Sequence, residues 1–232
     1  MSAATIAAQA PLRRLRWSAA CRIVPTRYPS VFLYDRVADP QDFEALYALE
    51  AMTNDRVRDE IGEIELVPKD DRIFGPGSGP IMAAFTHLNP AGSRFSDGSF
   101  GMFYAAREQR TAIRETQHHL GRFLAATNEA AIHLQMRLYH VAIDARLHDL
   151  RGTGPALAAL HDPDRYAASR LVGAALRAGG SAGVVYRSVR DAPRGECVGL
   201  FKPRAASGCV HAAHLLYAWD GKVFTDTYAR LP

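Results

Sequence analysis

Apolar and polar residues alternate most cleanly between residues 132 and 139, where Ile132, Leu134, Met136 and Leu138 are separated by His133, Gln135, Arg137 and Tyr139. A period of two sends successive side chains to opposite faces of a strand, so this segment predicts a half-buried strand. Strand-like runs also occur at Ala20–Val24, Phe100–Ala105, Gly183–Tyr186, Cys197–Phe201 and His211–Trp219. Asp220-Gly221 predicts a two-residue hairpin turn into Lys222–Tyr228. Helical signals lie between these runs. Asp39-Pro40 reads as an N-cap with Pro at the first helical position, and Phe43, Leu46 and Tyr47 give the helix an apolar face to about Asp59. A second helix is expected from Arg107 to about His119. Asp162-Pro163 opens a third, with Tyr166, Val172, Ala175 and Leu176 as its apolar positions and Gly179-Gly180 closing it.

Residues 62–93 break the pattern. Gly75-Pro-Gly-Ser-Gly-Pro80 excludes a regular element, Asn89-Pro90-Ala-Gly92 marks a further turn, and Ile81–Phe85 is a short apolar piece between them. The segment reads as a long loop or an insertion beside a site. Strands and helices mix without regular alternation, which predicts an α+β fold with a largely antiparallel sheet. The 232 residues fit a single domain, with a flexible N-terminus over 1–18 and the domain proper over 19–232.

Composition narrows the function class. Hydrophobic content of 48% and charged content of 22% suit a globular chain that buries a core without staples. Cys21, Cys197 and Cys209 are odd in number and lack CxxC spacing, which argues against a disulfide framework or a structural zinc. No apolar run has the length of a membrane span. The Ala-rich start precedes Arg13, Arg14 and Arg16, the reverse of a signal peptide, so a frayed cytosolic terminus is expected. The formal charge is +4, and Lys occurs only at Lys69, Lys202 and Lys222. An arginine bias suits a bidentately held anion, and the absence of a basic block favours a small ligand over a nucleic-acid stripe.

The candidate chemistry is weak residue by residue. Gly92, Gly98 and Gly101 suggest a backbone folded closely enough to approach a ligand, although a plain Gly-rich turn explains them as well. Glu115 on the predicted helix could pair with nearby arginines, and Tyr104 could be a core residue with a wet tip. Arg22 on the opening strand could brace the sheet. His118 and His119 follow Glu115 within a turn and could tune a site. His211 and His214 have metal-like content but should point to opposite faces of a strand, so no metal site is expected. Gly75–Pro80 lacks the Lys of a P-loop.

Taken in order, Thr26-Arg27-Tyr28-Pro29, Gly92-Ser93-Arg94-Phe95 with Tyr104, Ala112-Ile-Arg-Glu115-Thr and Tyr186-Arg-Ser188 resemble the RES domain, and they span roughly three quarters of the chain. The chain departs from that pattern at Ser93 and Ser96, and in Val189-Arg-Asp-Ala-Pro-Arg-Gly-Glu after Ser188. The resemblance implies an ADP-ribosyltransferase-like fold acting on NAD as substrate. It implies that Arg27 and Arg94 grip the diphosphate and that Tyr28 and Tyr104 flank the nicotinamide. Glu115 would stabilise the oxocarbenium-like centre, and Ser188 would orient NAD or Glu115 by hydrogen bonding.

The same resemblance implies a cytoplasmic toxin of a toxin–antitoxin pair. Such a toxin transfers ADP-ribose to a protein side chain or to inorganic phosphate, and an Xre-type antitoxin blocks its cleft. Two other classes remain as alternatives. A nucleic-acid-binding or regulatory module would bind in a salt-sensitive way without turning over NAD. A Cys–His hydrolase would be sensitive to thiol alkylation and indifferent to Glu115.

Overall fold

The computed structural model describes residues 2–27, 62–193 and 195–230. The helix expected at 39–59 lies outside them, as does Tyr28. In chain order the described elements begin with helix α1 (Ala3–Gln9), strand β1 (Leu12–Pro25), helix α2 (Gly79–Thr86) and strand β2 (Phe103–Ala106). Helix α3 (Gln109–Ala126), strand β3 (Ile132–Asp149), the short helix α4 (Pro155–Ala158) and helix α5 (Ala167–Ala178) follow. Strands β4 (Gly183–Arg187), β5 (Glu196–Leu200), β6 (Ala206–Trp219) and β7 (Phe224–Arg230) complete the set.

The long strand β3 organises the sheet. It runs antiparallel to β1 from Leu12 opposite His148 to Pro25 opposite Met136, and antiparallel to β6 along its first two thirds. Its last residues pair in parallel with β4, at His148–Val184 and Asp149–Val185. β4 pairs with β5, β5 with β2, and β2 returns to β1 at Cys21 opposite Ala106. The pairings therefore close a ring β1-β3-β4-β5-β2, with β6 and β7 extending outward from β3. All but one of these pairings are antiparallel, in keeping with the α+β expectation.

Period-two alternation divides the core. Tyr139, Val141 and Ile143 of β3 join Phe103, Val198 and Leu200 in one apolar cluster, against which α2 packs Ile81, Met82 and Phe85. Met136 and Leu138 join Phe95, Val184 and Tyr217 in the other, which also takes Ala112 of α3 and Val172 and Leu176 of α5. Each such aliphatic side chain contributes about 1.5–3 kcal/mol on burial.

Several elements differ from the sequence expectation. Residues 3–18, read as a loose end, hold α1 and the first half of β1. Their arginines are satisfied across the sheet, Arg14 by Asp144 at 2.7 Å and Arg13 by Asp149 at 3.6 Å. Gly79-Pro80 opens α2 rather than excluding it, because proline is tolerated in a first helical turn. α5 begins at Ala167, not at Asp162-Pro163, because the Asp162 carboxylate accepts the N–H groups of Asp164 and Arg165 and closes a turn of its own. The β6–β7 connection spans Asp220–Val223, with Asp220 Oδ1 accepting from the N–H groups of Lys222 and Val223. His211 and His214 share a face, with ring centroids 4.4 Å apart. A bulge that pairs Leu138 with Ala213 and Tyr139 with His211 inserts the extra residue that reverses the expected alternation. Among the described residues no group of three or more His, Cys, Asp or Glu side chains could hold a metal ion, and no helix is long and apolar enough to cross a membrane.

Candidate active site

A cavity of about 680 Å³ opens between α3, the segment around residues 91–94, the start of α5 and the β1–β2 side of the ring. That volume lies within the range of small-molecule sites. Arg94, Tyr104 and Glu115 all line it, together with Arg22, His119, Arg122, Tyr166 and Arg170. Four arginines against Glu115 and Asp164 make the lining net cationic, which favours an anionic ligand.

α3 supplies the carboxylate. Its apolar side buries Ala112 and Leu124, and Glu115 is carried round to the cavity. Behind Glu115 the loop after β4 presents Ser188, whose Oγ donates to Glu115 Oε1 at 2.6 Å. Ser188 is 3% exposed, and its Oγ accepts the N–H groups of Arg190 at 3.1 Å and Asp191 at 3.0 Å. A hydroxyl has one proton and two lone pairs, so these contacts use it fully. His119, one turn beyond Glu115, has its pKa lowered by burial, an effect that Glu115 opposes and that Arg190, Arg94 and Arg122 reinforce.

Arg94 is held by its surroundings. Its Nη1 donates to the carbonyls of Leu160 and Asp162 at 3.0 and 2.9 Å, and its guanidinium stacks 4.5 Å from the centre of the Tyr166 ring. α5 clamps the backbone beside it. Ser169 Oγ donates to Arg94 O at 2.6 Å, and Arg170 donates to the carbonyls of Ser93 and Ala91. Gly173 allows this approach, since a Cβ there would lie 2.0 Å from Phe95 O. Gly92, at φ +73, turns the chain where a side chain would meet Ser96 O at 2.5 Å.

Tyr104 organises the same loop from below. Its hydroxyl lies 2.8 Å from Ser93 Oγ and accepts the Phe95 N–H at 3.1 Å. Burial pushes its phenol up to about 12. The Tyr186 ring packs edge-on against Phe95 at 5.1 Å and closes the inner wall.

Of the other expected site residues, Arg27 is exposed and lies outside the lining, with its guanidinium 5.9 Å from the ring centre of Phe123, which does line the cavity. Arg22 braces the sheet as one reading expected: its Nη1 donates to Tyr104 O at 3.0 Å, it stacks 4.5 Å over Phe103, and burial pulls its pKa down to about 10. Sequence reasoning missed Tyr166, Arg170, Arg122 and Phe123. Tyr166 was read as a core position, and its spacing of four from Arg170 on a helical segment was the one available signal. Cys21, Cys197 and Cys209 are buried and free, and burial pushes the Cys21 thiol up to about 11 and that of Cys197 well above its ordinary range. Neither thiol is primed as a nucleophile, which removes support from a Cys–His hydrolase.

The RES domain family matches residues 70–220, well over half of the chain. The chain belongs to the RES domain family. The matched stretch includes Arg94, Tyr104, Glu115 and Ser188, and Arg27 and Tyr28 precede it. The uncharacterized protein y4oC of Sinorhizobium fredii (strain NBRC 101917 / NGR234) is 29% identical over 208 residues, covering 90% of this chain and 86% of its own. Among solved structures, a chain of the M. tuberculosis MbcT-MbcA toxin-antitoxin complex superposes with a TM-score of 0.50 at 11% identity, covering 99% of this chain and 92% of its own. This likeness shows that the RES domain described here shares its fold with that chain.

Proposed function

We propose that this RES domain is the toxin of a toxin–antitoxin pair, an enzyme that breaks the nicotinamide–ribose bond of NAD and transfers ADP-ribose to an acceptor. The observation that carries the reading is the Ser188–Glu115 hydrogen bond, at 2.6 Å, beside a cationic cavity with an aromatic wall. Membership of the RES domain family supports NAD as the ligand, and the toxin–antitoxin context of the M. tuberculosis structural neighbour supports the toxin role.

In this reading the diphosphate of NAD lies against Arg94. Its Nη1 is engaged by carbonyls, while Nε and Nη2 take no protein acceptor among the described residues. A guanidinium carries five donors, so a fork remains for phosphate oxygens. Arg27 at the rim adds a second cation, and Tyr28 and Tyr104 flank the nicotinamide, whose positive charge favours an aromatic face. As the C–N bond breaks, the electron pair leaves with nicotinamide and positive charge grows on the ribose. Glu115, oriented by Ser188, stabilises that charge and accepts from a ribose hydroxyl.

The acceptor is a protein side chain or inorganic phosphate, and the toxin acts in the cytoplasm. Its partner is an Xre-type antitoxin that covers the cleft. A nucleic-acid role draws less support, because Arg13, Arg14, Arg107 and Arg151 are engaged by Asp149, Asp144 and Glu196 rather than free to track phosphates. Product analysis tests the reading. Purified protein is incubated with NAD, alone, with phosphate, and with cell extract. Release of nicotinamide with ADP-ribose on phosphate or on a protein is expected, whereas intact NAD in all three mixtures overturns the proposal.

A further inference from the structure

The loop that carries Ser188 is tied to α3 through one carboxylate to which sequence reasoning gave no role. Asp191 is fully buried, at 0% exposure. Its Oδ2 accepts from Thr111 Oγ1 at 2.7 Å and from Arg110 Nε at 3.3 Å, and its Oδ1 lies 3.0 Å from Arg110 Nη2 and 3.1 Å from Arg114 Nη1. All three partners sit on α3 within the five residues before Glu115. The backbone of Asp191 faces the other way: its N–H donates to Ser188 Oγ, and its carbonyl accepts the Gly195 N–H at 2.8 Å.

We propose that Asp191 is the positioning residue of this active site, locking the Ser188 loop onto α3 so that the Ser188 proton is directed onto Glu115. The assignment rests on the proposed role of Glu115 in NAD cleavage. A buried carboxylate is costly unless it is paired; here Oδ2 is hydrogen-bonded by Thr111 and Arg110, while Oδ1 makes no hydrogen bond and is held by the charges of Arg110 and Arg114. With both Ser188 lone pairs taken by the Arg190 and Asp191 N–H groups, the third direction at Oγ, that of its proton, is the one aimed at Glu115. Removing the carboxylate charge therefore loosens Ser188 and, through it, the orientation of Glu115. NAD contacts elsewhere in the cavity stay in place, so kcat is lowered and KM is not.

A double-mutant cycle between Asp191→Asn and Ser188→Ala tests this, with nicotinamide release as the readout. Asp191→Asn alone is expected to lower kcat by about tenfold or more with KM for NAD unchanged, as for a lost hydrogen bond to a charged group. In the Ser188→Ala background the same substitution should cost almost nothing. An equal cost in both backgrounds overturns the proposal, because a residue that only stabilises the fold acts independently of Ser188. Thr111→Val is the gentler companion, removing one 2.7 Å bond, and it should show the same dependence on Ser188 should Asp191→Asn fold poorly. Amide exchange at residues 190 and 191 supplies a readout free of NAD. Faster exchange in Asp191→Asn is expected whether or not the wild-type protein turns over NAD, and unchanged exchange overturns the locking role.

Discussion

Ser188 Oγ and Glu115 Oε1 are 2.6 Å apart although the residues are 73 positions apart in the chain. The bond joins the loop after β4 to the second turn of α3. It marks the point at which the sheet ring and the helix meet at the cavity. Ser188 is a donor there by necessity, since its two lone pairs are occupied by backbone N–H groups.

Replacing Ser188 with Ala is expected to lower kcat for nicotinamide release by about 10–100-fold, the scale of a hydrogen bond to a charged group. The fold should survive with a stability loss of about 1–3 kcal/mol, because the gap is small but the Arg190 and Asp191 N–H groups lose their acceptor. Steady-state kinetics alongside a thermal melt checks both parts. A melt that collapses together with activity would show that the hydroxyl is mainly structural.

Arg94→Lys is expected to behave almost like Arg94→Ala. A lysine ammonium cannot span the carbonyls of Leu160 and Asp162, stack on Tyr166 and still present a fork to phosphate. KM for NAD should rise by about tenfold or more, and stability should fall by about 1–3 kcal/mol from the carbonyls left unpaired. Titration of NAD binding by calorimetry, with a denaturant melt, measures the two losses separately.

Tyr104→Phe keeps the ring on the cavity wall and deletes the hydroxyl that holds Ser93 Oγ and Phe95 N–H. The expected cost is about 1 kcal/mol of stability, with a modest rise in KM as the Arg94 loop loosens. Tyr104→Ala removes the ring as well and should cost far more activity. Similar kinetics for the two variants would argue against a role for the ring.

What the sequence displayed and what it concealed follow from the range of the interactions. The start of β3 is legible because apolar and polar residues alternate over Ile132–Tyr139, and most of β6 reads as a strand-like run, but the continuation of β3 to Asp149 and the start of β6 at Ala206 are not. The first half of β1 was not, because Arg13, Arg14 and Arg16 look solvated until Asp144 and Asp149 are placed opposite them. The pairing of His211 with His214 was misread because a bulge depends on the partner strand. Glu115 and Ser188 were singled out through family resemblance, since neither stands out by composition. Asp191 was missed because its partners lie about 80 residues away on α3. Tyr166 reads as an apolar helix position because a helical period cannot tell a core face from a cavity face.

Acid sensitivity follows from the histidines. Burial, aided by Arg190, His119 and Arg122, pushes His118 down to about 4 from its ordinary 6.5. The unfolded chain thus binds this proton more readily than the folded one between those values. The stability contribution is fully present above about pH 6.5 and is lost as pH falls toward about 4. His119, His148, His161 and His211 are shifted in the same direction and steepen the limb. Melts from pH 7 down to pH 4.5 should show a falling Tm, less steep in His118→Asn. An unchanged slope in that variant would contradict the burial of the ring.

The most direct test of the account is nicotinamide release from NAD by the wild-type protein and by Glu115→Gln, at matched folded concentration. Glutamine keeps the side-chain length and can still bond Ser188, but it lacks the charge that the proposed function assigns to stabilising the oxocarbenium-like centre. The account predicts steady release by the wild type and a fall of at least about 100-fold in the variant, with NAD still bound. Equal release by the two proteins, or intact NAD with the wild type in the presence of phosphate and extract, would contradict it.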